Sequence, residues 1–470
     1  MRTLKPIIYI YKITTRILKS INPYTNQVIA NYTIDDAKTV DAKINNAHKA
    51  FENWRKLTIQ ERIKAILTVA QKLEHRKQEY AALMTSEMGK LYAEGIAEIE
   101  KCQLLIKYYA EHAEGFLDKK SVKANYTSSE VYFEPLGVCL GIMPWNFPFW
   151  QVMRFAIPTL IAGNTIVLKH ASNVQGCAEA LQSLFDDNHI PNNIFTNLVI
   201  PSKDMKGVIN HSKIKGISLT GSTNAGKAVA KIAAKHLKKC VFELGGSDPY
   251  VVLKDADLAL TIEACANARL RNAGQSCIAG KRFIVEEAIA ENFIKALKEK
   301  FQEYKIGNPL DATTTLAPMA TIDLRNELHE QVVSSVQKGA SIVLGGKIES
   351  QDQAFYPATI LKDVAPGMPA FEDELFGPVA AVIVVKNEEE AIRVANTTSF
   401  GLGAAIFSKN VARAKEIAIS ELSAGSCFVN GLVRSDPKLP FGGINESGYG
   451  RELSAFGMHE FCNIKTVVVI

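Results

Sequence analysis

The chain is poor in the residues that build metal clusters and disulfide frameworks. It has only eight cysteines in 470 residues, with no C-x-x-C pair and no regular spacing. That argues against a disulfide scaffold and against a zinc–thiolate site. Its nine histidines form no H-E-x-x-H, so the common zinc-hydrolase signature is missing and no metal is expected. No window reaches the roughly 18 consecutive apolar residues that span a bilayer. Neither sign of charge is in large excess, with 54 Lys and Arg against 49 Asp and Glu. A net charge of +5 over so large a surface does not argue for a nucleic-acid partner. The basic run Lys235–Lys239 lies in an amphipathic stretch and reads as a solvated helix face. Internal repeats and low-complexity linkers are also absent.

What remains is an ordinary globular composition, 47% hydrophobic and 22% charged. A chain of this length exceeds a single core, so two or three domains are expected. Free thiols fit a reducing, cytoplasmic compartment. Residues 1–20 stand apart because the segment is basic and lacks acids. Its apolar run Ile7–Tyr11 is short for a signal core and no small-residue cleavage site follows. The segment reads as a poorly ordered extension, with a transit peptide as the rival reading.

From Ile21 three helices are expected. Val40, Ile44, Ala47, Phe51 and Trp54 recur at helical spacing. Thr58 and Glu61 form a capping box for a helix closing near Gly89, and a third runs from Ala93 to Phe116. Ser121–Tyr132 reads as an exposed hairpin, and Thr466–Ile470 as an exposed strand. Both are aggregation liabilities that pairing in a homodimer or homotetramer would relieve. From Val138 onward short apolar strands alternate with helices, first at Val138–Met143, Thr165–Leu168, Phe195–Ile200, Gly216–Leu219 and Val241–Leu244. A second series lies at Phe283–Val285, Ile342–Leu344, Val379–Val385, Ala404–Phe407 and Ser426–Val429. This is the rhythm of two α/β domains with parallel sheets.

Four local patterns carry chemistry. Gly221-Ser222-Thr223-Asn224-Ala225-Gly226-Lys227-Ala228 follows a strand and opens a helix, a place where backbone N–H groups hold phosphate. It nearly matches a P-loop, but Ala228 lacks the hydroxyl that binds Mg²⁺, so a P-loop nucleotide-binding protein stands as the distant alternative. Cys277 sits in the polar sequence Gly274-Gln275-Ser276-Cys277, although a single cysteine is more often packing than nucleophile. Glu243 closes a strand ahead of Gly245-Gly246, and Asn146 follows another strand within Pro144-Trp145-Asn146-Phe147-Pro148. Strand carboxyl ends are where α/β sites form.

Taken together, these motifs resemble the aldehyde dehydrogenases. The resemblance is extended by Glu374-Leu375-Phe376-Gly377-Pro378, Pro440-Phe441-Gly442-Gly443 and Ser447-Gly448-Tyr449-Gly450-Arg451-Glu452, and it runs from about Ile21 to the C-terminus. Glu243 precedes Cys277 by 34 residues, as that family's base precedes its nucleophile. The resemblance implies an α/β fold with a Rossmann-type dinucleotide-binding domain (21–118 and 136–245). It also implies a second α/β catalytic domain (246–443) and a small β oligomerisation element (119–135 and 455–470). It implies that Cys277 attacks the aldehyde, that Asn146 holds the oxyanion and that Glu243 activates water against the thioester. A relative that transfers the acyl group to a thiol would not need that carboxylate.

The cofactor implied is NADP or NAD, with Trp145, Lys169, Ser172, Gly221, Ser222, Leu244, Glu374 and Phe376 as its contacts. The family places a Glu where Ser172 stands. A Glu would repel a 2′-phosphate, by about 4 kcal/mol for unit charges 4 Å apart at an effective dielectric of 20. Ser172 therefore points to acceptance of NADP. Arg154 lies eight residues after Asn146 and Arg271 six before Cys277, with Ser435 shortly before Pro440-Phe441-Gly442-Gly443. These offsets resemble those of bacterial succinate-semialdehyde dehydrogenases, in which such residues hold the substrate carboxylate. Arg154 paired with a helix carboxylate, and Arg271 bracing the active-site loop, are the plain readings. Arg434 beside Ser435 leaves a longer semialdehyde, or another small aldehyde, as the alternative substrate.

Overall fold

The computed structural model describes residues 16–186 and 188–470. These residues form four sheets, and the two large ones set the architecture. The first runs Gly448–Tyr449, Lys239–Glu243, Ile214–Thr220, Val138–Met143, Thr165–His170, Phe195–Asn197, parallel except at its Gly448–Tyr449 edge. The second runs Ser341–Leu344, Thr359–Lys362, Val379–Val385, Gly280–Glu286, Asp248–Val252, Gly403–Phe407, Ser426–Val429, parallel except at its Ser341–Leu344 edge. Each is covered on both faces by buried apolar clusters. That is why its strands read as continuous Val, Ile and Leu rather than as alternation.

In the first sheet the strand order reverses between Val138–Met143 and Ile214–Thr220, because the next two strands go to one side and the following two to the other. Loops after those two strands carry Asn146 and Gly221. A crevice at such a reversal is where open α/β sheets take ligands.

Two strands of the second sheet escaped the sequence reading, Asp248–Val252 and Thr359–Lys362. Asp248–Val252 contains Pro249, which argues against a central strand. The fold tolerates it because the register slips between Asp248 and Pro249. The helix expected from Thr58 to Gly89 is two helices, Ile59–His75 and Lys77–Met88, divided at Arg76. Thr58 and Glu61 do form the reciprocal cap, and Gly89 ends the second helix with φ +78°.

The extension expected over residues 1–20 needs correction at its end; up to residue 15 it lies outside the described residues. Ile17–Asn22 is a strand, paired antiparallel with Gln27–Thr33. Ser20 is buried and donates to Glu87 Oε1 at 2.5 Å. Glu87 also accepts from the backbone N–H groups of Gly176 and Cys177, both at 2.8 Å. A serine satisfying a buried carboxylate 67 residues away leaves no local sign in the sequence.

The expected hairpin forms from Lys120–Ser121 and Ser128–Pro135. The C-terminal strand, Cys462–Val469, pairs with Ser128–Pro135 along its whole length, so each relieves the other's edge within one chain. Ile464, Val467 and Val469 stay exposed on that strand. Among the described residues no helix is long and apolar enough to cross a membrane.

Candidate active site

The loops that bear Asn146 and Cys277 are locked together. The helix Trp150–Ile161 begins just after Asn146, and the backbone N–H groups of Phe149 and Trp150 both donate to Glu98 Oε1 at 2.9 Å. A carboxylate there satisfies donors the helix cannot and suits its positive end. Lys90 pairs with Glu98 and lies 3.9 Å from the Phe147 ring centroid. One N–H of the Asn146 amide donates to Gln275 O at 3.1 Å, and Asn272 Nδ2 returns a bond to Asn146 O at 2.9 Å. The loops of Asn146 and Cys277 are thus one hydrogen-bonded unit.

The loop that bears Cys277 is strained. Asn272 and Ala273 have φ of +53° and +52°, followed by Gly274 at +71°. A non-glycine residue held there costs about 1–3 kcal/mol and persists only when its surroundings over-determine it. Arg269 provides that support, donating to Gly274 O at 2.5 Å, and Glu94 Oε1 accepts from Asn272 N–H at 2.9 Å. A side chain at Gly274 would collide with the Gly377 carbonyl. Lys281 then fastens the loop's far side, donating to Ser276 O at 3.0 Å and Cys277 O at 2.7 Å. Its ammonium also pairs with Glu374 Oε1 at 3.2 Å.

Burial pushes the Cys277 thiol up to about 12, opposed by the nearby charges of Arg154 and Lys281 and reinforced by Glu374 and Glu243. Glu243 ends the strand Lys239–Glu243 and is 1% exposed. Neither of its carboxyl oxygens finds a hydrogen-bond partner among the described residues. Burial raises it well above the ordinary glutamate range, Arg154 opposes that and Glu452 adds to it. Such a carboxyl holds its proton to higher pH, as a base working near neutrality must. Gly442 leaves it room, since a Cβ there would stand 2.7 Å from Glu243 Oε1.

Cys277 lines a cavity whose walls bring together Arg154, Arg271, Arg434, Ser435 and Lys101. Asn146 and Glu243 are buried but do not line it. Arg154 differs from the free clamp expected of it. Its guanidinium pairs with Glu452, donates to Thr220 Oγ1 at 3.3 Å and lies 4.9 Å from the Phe441 ring centroid. Two buried charges pair because either alone would be strongly destabilising. Arg271, Arg434 and Lys101 form no ion pair with any described carboxylate, and Ser435 Oγ accepts from Lys101 Nζ at 2.7 Å.

The sequence reading missed Lys101, Lys281 and Glu452. For Lys101 a signal existed: Glu94, Glu98 and Lys101 fall on one helical stripe with Leu105, and charges on a buried stripe are unusual. For Glu452 no local sign marks its partner, 298 residues earlier.

Of the residues expected at the dinucleotide, Trp145, Lys169, Ser172, Gly221, Ser222 and Leu244 end or follow strands of the first sheet, and Glu374 and Phe376 precede the strand Val379–Val385 of the second. Lys169, at the end of Thr165–His170, donates to Ser202 Oγ at 3.2 Å, and burial pushes it down to about 8. A buried ammonium with only a hydroxyl for company suits ribose or phosphate oxygens. Ser172 is half-buried and makes no hydrogen bond among the described residues. Gly221 follows its strand, Ser222 caps the helix Thr223–Ala234 by accepting from Ala225 N–H at 3.3 Å, and Leu244 packs against Gly226, where a Cβ would lie 2.5 Å away. Lys227, the lysine of the near P-loop, pairs instead with Glu446 at 2.7 Å. Glu374 accepts from Gly246 N–H at 3.2 Å, and Trp145 and Phe376 meet edge-on with centroids 5.8 Å apart. These groups fit a dinucleotide.

A profile described as the aldehyde dehydrogenase family matches residues 10–467. A probable succinate-semialdehyde dehydrogenase [NADP(+)] of Synechocystis sp. is 44% identical over 450 residues, 96% of this chain and 99% of the relative. The succinate semialdehyde dehydrogenase [NAD(P)+] of Escherichia coli is 42% identical over 448 residues, covering 95% and 97%. Among solved structures, succinic semialdehyde dehydrogenase from Streptococcus pyogenes in complex with NADP+ superposes with a TM-score of 0.94 at 36% identity, covering 96% and 99%.

Proposed function

The chain belongs to the aldehyde dehydrogenase family, and from that premise we propose that it oxidises succinate semialdehyde to succinate with NADP or NAD. The observation that carries this reading is the cavity lined by Cys277, Lys101, Arg271 and Arg434, whose one lining carboxylate, Glu98, is already held by Lys90 and by the N–H groups of Phe149 and Trp150. Cations gathered without anions repel one another, and arginine cannot shed its charge. An aldehyde that brings its own carboxylate resolves that repulsion. The names of the relatives point the same way.

Cys277 Sγ adds to the aldehyde carbon, and the carbonyl oxygen becomes an oxyanion beside the Asn146 amide. A donor of this kind is worth about 2.7–4 kcal/mol in the transition state. When bound, the nicotinamide dinucleotide supplies the acceptor for the hydride. Lys169, Ser172, Gly221, Ser222 and Leu244 would hold its adenosine half, and Glu374, Trp145 and Phe376 the nicotinamide end. Ser172 leaves a 2′-phosphate unopposed. Loss of hydride leaves a thioester on Cys277. Glu243 takes a proton from water, whose oxygen forms the new C–O bond as the C–S bond breaks. The thiol must lose its proton before attack, and the nearby charges of Arg154 and Lys281 favour that loss against the burial that opposes it. The exposed apolar face of Cys462–Val469 is the surface through which copies of the chain would associate.

Steady-state comparison of succinate semialdehyde with butanal tests the substrate. A kcat/KM ratio of about a hundred or more, roughly 2.7 kcal/mol, is expected. Equal use of butanal rejects the reading. The same assay with the two cofactors tests Ser172, because a preference for NAD above about a hundredfold removes NADP from the proposal.

A further inference from the structure

Four cations reach the cavity, and they differ in what neutralises them. Arg154 belongs to Glu452. Arg271 and Arg434 are exposed to water at the mouth. Lys101 is the exception, part-buried and without a counter-charge. It projects from the helix Tyr92–Leu117, lies 4.0 Å from the Trp150 ring centroid and donates to Ser435 Oγ at 2.7 Å.

The charged and titratable groups around it are Glu98 and Cys102 on its own helix, Arg154 on Trp150–Ile161, Arg271 before the nucleophile, and Arg434 beside Ser435. Glu98, the one carboxylate among them, is already held by Lys90 and by the N–H groups of Phe149 and Trp150. A desolvated ammonium stacked on an aromatic ring, bonded to a neutral hydroxyl and facing a cavity that ends at a nucleophile, lacks an anion.

We propose that Lys101 is the specificity-determining cation of this site: the substrate carboxylate takes its ammonium, with Ser435, as its counter-ion, while Arg154 stays on Glu452. The inference rests on the reading of the cavity as one for an aldehyde that carries a carboxylate. It reassigns the centre of the clamp to a residue that no offset from Asn146 or Cys277 indicates.

The proton on Lys101 then becomes part of recognition. Desolvation, with Arg271 and Arg154 nearby, pushes it down to about 7 in the free protein. A carboxylate beside it favours the charged form and raises that value. Its contribution to binding is therefore complete below about pH 7 and is lost as pH rises through the free value. The KM for succinate semialdehyde should climb above neutrality, by at most about tenfold per pH unit for one proton. Butanal shares every other titration of the site, so the ratio of the two KM values isolates Lys101.

The experiment measures that ratio from about pH 6 to about pH 9 for the wild type, Lys101→Met and Lys101→Arg. Dinucleotide titration reports that each variant is folded. Lys101→Met should raise the ratio by about tenfold or more, as expected for loss of a charged hydrogen bond, with a smaller change in kcat. Lys101→Arg should keep a low ratio and flatten its dependence on pH, because arginine stays charged. If Lys101→Met leaves the ratio within about twofold, or Lys101→Arg keeps the wild-type slope, the inference is overturned. Absence of any wild-type preference over butanal would instead strike the substrate reading itself.

Discussion

Arg154 and Lys101 stand in the wall of the same cavity, yet the protein treats them oppositely. Arg154 is fully enclosed, stacked on Phe441 and given a carboxylate of its own. Lys101 is stacked on Trp150 and given only a hydroxyl. Enclosure of a permanent charge demands a permanent partner, whereas a lysine can lower its affinity for a proton and wait for one. The role of a cation in a binding site is set less by its place on the wall than by whether the fold has already neutralised it. The same contrast separates Glu243 from Glu452, since Glu452 pairs with Arg154 while Glu243 keeps both oxygens unpartnered.

The sharpest way to break that contrast is Glu243→Gln. Removing the base should lower kcat by about 10²–10⁴-fold, with the thioester accumulating in a burst of reduced dinucleotide. The folded protein holds the Glu243 proton to a pH at which the unfolded chain has released it. Wild-type stability therefore falls as pH rises above the ordinary glutamate value, and glutamine escapes that loss. The melting temperature of Glu243→Gln should gain on the wild type between about pH 5 and about pH 8. A variant that loses ground over that interval contradicts the environment described for Glu243.

Glu452→Leu tests the enclosed pair. It strands Arg154 without an anion and should cost about 3–5 kcal/mol in denaturant unfolding. If Arg154 were instead waiting for substrate, the loss would be small and KM alone would move. Arg271→Met is the mildest of the three. It should raise the KM for succinate semialdehyde by about tenfold with kcat little changed, since an exposed cation contributes uniform binding. An unchanged KM would make Arg271 a brace of the nucleophile loop rather than a substrate contact.

Several strands were legible because burial on both faces wrote a long apolar run. Val138–Met143 and Val379–Val385 fall where the pattern places them. Asp248–Val252 did not, because Pro249 speaks against a strand and only a slipped register admits it. In the candidate site, the motif residues Cys277, Glu243 and Asn146 could be named in sequence, because each stands in a short local pattern, Gly274-Gln275-Ser276-Cys277, Glu243-Leu244-Gly245-Gly246 and Pro144-Trp145-Asn146-Phe147-Pro148. Their neighbours could not. Lys281, which holds the Cys277 carbonyl, also reaches Glu374, 93 residues further on, and nothing local announces the second contact.

By itself the sequence determined the family and the two-sheet α/β organisation and named a candidate reactive trio, since these are written in short patterns at fixed spacing. Only the tertiary structure decided which charges meet. Ion pairing depends on distance through space, and the helix bearing Lys101 comes to Ser435 across 334 residues of chain. Pairing Arg154 with Glu452 and leaving Lys101 without a carboxylate is a choice of packing, and no local pattern records it.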